Sequence, residues 1–130
     1  MRGEQVWEVY LTDEVNEWLD SLGGTDHGSY QQVVSAIEAL AEVGPNLGRP
    51  LADRIKGSTM HNLKELRPGS VGSSEIRVLF AFDPWRSAIL LVGGDKAGNW
   101  RRWYREAVPR AERLYKLYLK ERSAEEEGRS

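Results

Sequence analysis

Between residues 75 and 82 the chain alternates as a strand does. Ile76, Val78, Phe80 and Phe82 share one face, and Arg77, Leu79 and Ala81 share the other. Arg77 is thereby turned away from the face that Ile76 and Val78 bury. Residues 87–92 form a nearly continuous apolar run of strand length, which suits a central strand covered on both faces for part of its length. Between the two lies Asp83-Pro84-Trp85-Arg86, with Pro84 supplying the fixed φ that a tight turn wants at its second position, so the strands form a hairpin. Residues 61–67 pair with the first of them across a loop at 68–74, whose glycines and serines are too polar for core. The pattern predicts a three-stranded antiparallel unit.

On the N-terminal side, residues 5–11 set Val6, Glu8 and Tyr10 against Trp7, Val9 and Leu11, a strand at or just inside the edge of the sheet. Thr12 caps a helix with Asp13 and Glu14 in its first turn and Val15, Trp18, Leu19 and Leu22 on its buried face; Gly23-Gly24 ends it. Ser29 followed by Gln32 is a capping-box pattern for a second helix, which buries Val33, Val34, Ile37, Leu40 and Ala41 and stops at Gly44-Pro45. Residues 46–59 are expected to form a loop carrying Arg49, Arg54 and Lys56. After the hairpin, Asn99 caps a helix that places Trp100, Trp103, Tyr104 and Ala107 on one face. Pro109 removes a hydrogen bond and crowds the Arg105 carbonyl, so a break is expected there, with a last helix running to about Arg122. Ala111, Leu114, Tyr115 and Tyr118 form its apolar stripe, and residues 123–130 read as a flexible acidic tail. The sum is a compact α+β domain over residues 1–122: an N-terminal strand, two helices, the three-stranded unit and C-terminal helices.

A chain of 130 residues with 40% hydrophobic and 29% charged residues is one ordinary globular domain. Having no cysteine, it lacks disulfides, thiolate metal sites and thiol nucleophiles. The first residues have no apolar signal-peptide core and no run reaches membrane-spanning length, so a cytoplasmic protein without a membrane partner is expected. The net charge of −2 hides an uneven distribution. Residues 1–48 hold one Lys or Arg against nine Asp or Glu, residues 49–105 hold eleven against five, and residues 106–130 hold six of each. A cationic middle suits an anionic partner. A basic sheet face complementing acidic helices nearby is the structural alternative.

Only two histidines occur, His27 and His61, without metal-ligand spacing. The Gly-Gly pairs at 23 and 93 lack the rest of a phosphate-loop or dinucleotide motif, and no nucleophile elbow is present. Neither a metal nor a cofactor is therefore expected. What remains is Lys64, Arg67, Arg77, Lys96 and Tyr104, with His61 and Glu65 as possible proton acceptors. Such a set suits RNA cleavage in which the substrate's own 2′-hydroxyl attacks phosphorus. Guanidinium and ammonium groups stabilise the added charge, and acid–base groups move the two protons. Nearby cations are expected to favour ionised Tyr104. Arg49, Arg54, Lys56, Arg101 and Arg102 are the candidate RNA contacts. Each residue also has a structural role open to it: Arg77 and Lys64 as partners of Glu75 or Glu65, Lys96 as a loop cap, Tyr104 as packing.

The strings NLKELRP, EIRVLFAF and AILLVGGDKAGNW, followed by a tyrosine-bearing C-terminal helix, resemble the RelE/HigB family of bacterial toxins, particularly its phage-derived HigB-like branch. The likeness is close over residues 50–120 and extends to residues 1–45 mainly in element order. It implies ribosome-dependent cleavage of mRNA and inhibition by a cognate antitoxin, often a helix-turn-helix protein, through which the complex meets DNA. By position, Lys64 and Arg67 look like the family's basic strand residues, Arg77 like the arginine of the next strand, Lys96 like the lysine after the last strand, and Tyr104 like a tyrosine some members use. Relatives commonly carry a second cation beside the lysine, where this chain has Asp95 and Ala97. Related ParE toxins share the fold but inhibit DNA gyrase through protein contacts, and a non-catalytic interaction module is a third reading.

Overall fold

A computed structural model of the chain describes residues 7–55, 58–60, 62–69 and 72–128. The candidate residues Lys56 and His61 lie outside them. The elements are β1 (Glu8–Leu11), α1 (Asp13–Thr25), α2 (His27–Val43), a 3-10 turn (Gly44–Asn46), β2 (Ala52–Arg54), β3 (Leu63–Leu66), β4 (Ile76–Phe82), β5 (Ser87–Asp95) and α3 (Trp100–Gly128). Among the described residues the strands form one sheet in the order β1-β5-β4-β3-β2. Every pair is antiparallel except β1 with β5.

The alternation read in the sequence divides the core into two layers. Val78, Phe80, Ala88 and Leu90 face α1 and α2, where Val15, Val33, Ala36 and Leu40 complete one cluster. Leu79, Ala81, Ile89 and Leu91 face the opposite way, onto Ala107, Ala111 and Tyr115 of α3. β5 therefore needs apolar side chains on both sides, which explains its unbroken run. It lies between β1 and β4, and β1 forms one edge of the sheet. Thr12 fixes the first helix to that centre: its hydroxyl accepts from the Val15 N–H at 3.2 Å and donates to the Leu91 carbonyl at 3.1 Å.

Several expectations shift. The second helix begins at His27, because Asp26 and not Ser29 is its cap: an Asp26 carboxylate oxygen accepts from the Ser29 N–H at 3.2 Å, and Ser29 itself is buried. The first helix runs past Gly23-Gly24 to Thr25. A short strand, β2, occupies part of the expected 46–59 loop and pairs with β3. The largest departure is α3, which continues through Pro109 to Gly128 with no second helix and covers part of the expected tail. Pro109 and Arg105 are both exposed, so the missing hydrogen bond falls on the solvent side of the helix. The cost, about 3 kcal/mol, is offset by burial of Ala107, Ala111 and Tyr115 on the other side of the same helix. Farther on, the Arg122 guanidinium lies 5.2 Å from the Tyr10 ring and 5.1 Å from the Trp85 ring, and donates to Glu126 at 2.7 Å. These contacts anchor the turns that the acidic composition alone assigns to a tail. Among the described residues no helix is long and apolar enough to cross a membrane.

Gly93 and Gly94 belong to β5, where each is the seat of an indole. A Cβ on Gly93 would lie 2.5 Å from the Trp18 ring of α1, and one on Gly94 would lie 2.5 Å from the Trp103 ring of α3, on the opposite face. Each ring would have to shift to admit a methyl group, which disturbs its packing against its layer. Gly93→Ala and Gly94→Ala are each expected to destabilise the fold by about 1–3 kcal/mol, read as a lower urea midpoint, whereas Gly24→Ala, where an added Cβ meets nothing within 4 Å, should not do so.

Candidate active site

Alternation along β3 and the residue after it turns Leu63, Glu65 and Arg67 toward α3 and turns Lys64 and Leu66 toward α1 and α2. This separates two residues that the sequence suggests as neighbours in function. Lys64 rests with its Nζ 5.5 Å from the Phe82 ring, across the sheet from the other candidates. Arg77, on β4, reaches the same side as Glu65. Its Nη1 donates to the Ile76 carbonyl at 2.7 Å, and its buried Nε, without a hydrogen-bond partner among the described residues, lies 3.9 Å from a Glu65 oxygen. From α3, Tyr104 donates its phenolic proton to the same Glu65 oxygen at 2.5 Å. The other Glu65 oxygen accepts from Arg67 Nε at 2.9 Å and lies 2.8 Å from Arg67 Nη2. Glu65, only 3% exposed, is thus the hub that joins Arg67, Arg77 and Tyr104. The alternating pattern shows which side of the sheet it faces, but not that Tyr104 would descend on it from α3.

Above this cluster is an open cleft of about 810 Å³. Arg49 and Arg54 stand on its β2 side, Lys96 and Trp100 on its α3 side, and Glu65, Arg67 and Tyr104 line it from below. Lys96 is held by its backbone N–H, which donates to the Glu75 carbonyl at 3.0 Å, and its Nζ lies 5.4 Å from the Tyr104 ring. Asp53 links the rim to the hub: it accepts from Arg49 at 2.9 Å and lies 3.5 Å from Arg67. The Arg54 backbone N–H, at 2.8 Å, holds the Asp53 carboxyl below its ordinary pKa. Arg101 and Arg102 do not line the cleft. Arg101 stacks on Trp100 at 5.3 Å, and Arg102 pairs with Glu106 at 3.3 Å on the exposed side of α3.

Tyr104 reverses one electrostatic expectation. Burial first, and then the bond and negative charge of Glu65, push its pKa upward, and these outweigh the opposing pull of Arg77. The cations nearby do not ionise the phenol, because burial and the carboxylate it touches together outweigh them. At neutral pH Tyr104 is a proton donor held against a carboxylate.

The family model described as phage-derived protein Gp49-like matches residues 17–116, a span that contains every residue lining the cleft. The chain belongs to that family. Two relatives in Mycobacterium tuberculosis (strain ATCC 25618 / H37Rv), HigB2 and HigB3, both named as candidate toxins, are each 49% identical to it. HigB2 matches over 107 residues, 82% of this chain, but the chain spans only about half, 52%, of the length of HigB2. HigB3 matches over 111 residues, 85% of this chain and 92% of its own length. The resemblance to the phage-derived HigB-like branch is thereby sustained for this Gp49-like chain, and the α+β order of strand, two helices, sheet and long C-terminal helix agrees with a RelE-like fold.

Because the folded state favours neutral Tyr104, the associated stability is intact below about pH 10 and is lost as pH rises beyond it. Tyr104→Phe should lower stability at neutral pH by about 1–2 kcal/mol through the lost bond to a charged acceptor. It should also flatten the alkaline decline, measured as denaturant midpoints from pH 8 to 11. Equal alkaline decline in both proteins would contradict a protonated Tyr104 in the hub.

Proposed function

We propose that the chain is the toxin of a type II toxin–antitoxin system and that the cleft cleaves mRNA in the ribosomal A site. The observation that carries this is the joining of Glu65, Arg67, Arg77 and Tyr104 beneath a cleft flanked by Arg49, Arg54 and Lys96. Relatives named as candidate toxins support the toxin part. On this reading the chain works in the cytoplasm, with ribosome-bound mRNA as substrate. A helix-turn-helix antitoxin is its inhibitor and its link to DNA.

The chemistry follows from the charges. Arg67 and Arg77 turn from the Glu65 carboxylate to a scissile phosphate, exchanging one anion for another. The 2′-oxygen bonds to phosphorus while the bond from phosphorus to the 5′-oxygen breaks. Glu65 takes the 2′-hydroxyl proton, and Tyr104, still protonated at neutral pH, gives its phenolic proton to the departing 5′-oxygen; the phenolate left behind is reprotonated from Glu65, its hydrogen-bond partner. Lys96 adds positive charge as the phosphorane forms. Among the described residues no three His, Asp or Glu side chains converge as a metal site would need.

Cleavage on programmed ribosomes should leave a 5′-hydroxyl that polynucleotide kinase labels without prior phosphatase treatment. Ends that label only after phosphatase would point to activated water instead. A gyrase inhibitor would give no RNA ends at all. Arg77→Ala should fold and lose roughly 10²–10³-fold in cleavage rate. Lys64→Ala, on the far side of the sheet, should retain the rate of the parent chain; equal losses in the two variants would place the chemistry elsewhere.

A further inference from the structure

Helical spacing groups Trp100 with Trp103, Tyr104 and Ala107 on one face, yet the four diverge. Ala107 is buried, Trp103 lies on Gly94, and Tyr104 bonds Glu65, whereas Trp100 is 53% exposed and lines the cleft. Exposure alone does not set Trp100 apart, since Leu117 is exposed to a similar degree; its place on the wall of a cleft lined by Arg49, Arg54, Arg67 and Lys96 does. Its footing is fixed. Trp100 is the first residue of α3, where the Asn99 side chain accepts from the Arg102 N–H at 3.3 Å and the Asn99 carbonyl accepts from the Trp103 N–H at 3.1 Å. The Arg101 guanidinium lies 5.3 Å from the indole, and the Tyr104 ring stands edge-on to it at 6.5 Å.

We propose that Trp100 is a stacking shelf for an unpaired RNA base next to the scissile phosphate, a nucleobase subsite at the mouth of the cleft. The inference rests on the endoribonuclease reading and adds what the cations of the cleft do not supply, a contact with a base. Guanidinium and ammonium groups recognise phosphate, which every nucleotide carries alike. An aromatic face binds any base, provided that the base is unstacked from its own strand. The ligand class is therefore single-stranded RNA, held with little preference for sequence at this position. Arg101, against the same ring, places a positive charge where the backbone leaves the shelf.

The test uses ribosomes programmed with a defined mRNA and measures both the cleavage rate at saturating protein and the protein concentration giving half that rate. Trp100→Ala should raise the half-saturating concentration about tenfold, with a smaller change in the saturating rate and no change in thermal melting. Trp100→Phe should recover most of the loss, and Trp100→Leu should not. An abasic nucleotide beside the cut should cost the parent chain a similar factor and cost the Trp100→Ala variant nothing further, since both remove the same contact. Half-saturation unchanged in Trp100→Ala, rescue by leucine as good as by phenylalanine, or fully additive losses would each overturn the shelf while leaving the endoribonuclease reading standing. A variant impaired only in binding its antitoxin would assign the indole to a protein interface, and overturn it too. Uncut mRNA with the parent chain would remove the endoribonuclease reading, and the shelf with it.

Discussion

A single carboxylate, that of Glu65, holds the functional end of this molecule together. It is almost wholly buried, and a carboxylate taken out of water loses several kcal/mol that only close, well-aligned partners restore. Such partners are Arg67 just past β3 and Tyr104 on α3, and Arg77 on β4 adds its charge from 3.9 Å. Asp53 brings in β2 through Arg67. Elsewhere α3 is joined to the sheet by Ala107, Ala111 and Tyr115; here it is joined by charge. Apolar contacts have no use for a phosphate, but guanidinium groups already gathered around an anion can accept another with little rearrangement. The guanidinium groups that join these strands are thus gathered at one place beside the cleft.

The length of α3 gives that hub its precision. Tyr104 lies near one end of the helix and Arg122 near the other, where Arg122 sits between the Tyr10 and Trp85 rings and bonds the Tyr118 hydroxyl at 2.9 Å. Tyr118 in turn donates to Asp83, whose other oxygen accepts from the Trp85 and Ser87 N–H groups in the β4–β5 turn. Tyr115 donates to the Phe82 carbonyl at 2.9 Å. A helix fastened at its far end to the hairpin turn is less free to rock, so the phenol at its near end stays on its carboxylate.

Most of this arrangement is legible in the period and spacing of the sequence. The alternation of β4 located Arg77, the unbroken run of β5 marked the centre of the sheet, and the stripe from Ala111 to Tyr118 found the face of α3 that packs. The misses arise where tertiary contacts outweigh a local rule. Pro109 breaks helices in isolation but is tolerated here on the solvent side of a helix whose other face is buried. Residues 123–128 look like a tail until Arg122 finds two rings that are distant in sequence. The resemblance pairs Lys64 with Arg67 as basic strand residues, although odd and even positions of a strand face opposite ways and here stand on opposite sides of the sheet. Trp100 fits the apolar stripe of its helix by spacing, and nothing local reveals that the first turn of α3 overhangs the cleft.

The two indoles seated on Gly93 and Gly94 approach one peptide unit from opposite layers. That pair of glycines is consequently a gauge for the thickness of the whole sandwich. A chimera that transplants α3 from a relative into this sheet, in search of a different cleft, would inherit the clearance set by Gly94. If the donor helix brings a residue other than tryptophan at 103, the slot is left hollow. If the recipient sheet carries a side chain at 94, the helix rides higher and Tyr104 is lifted with it. Grafting a different cleft onto this sheet is therefore limited less by the residues that line the cleft than by two positions with no side chain at all.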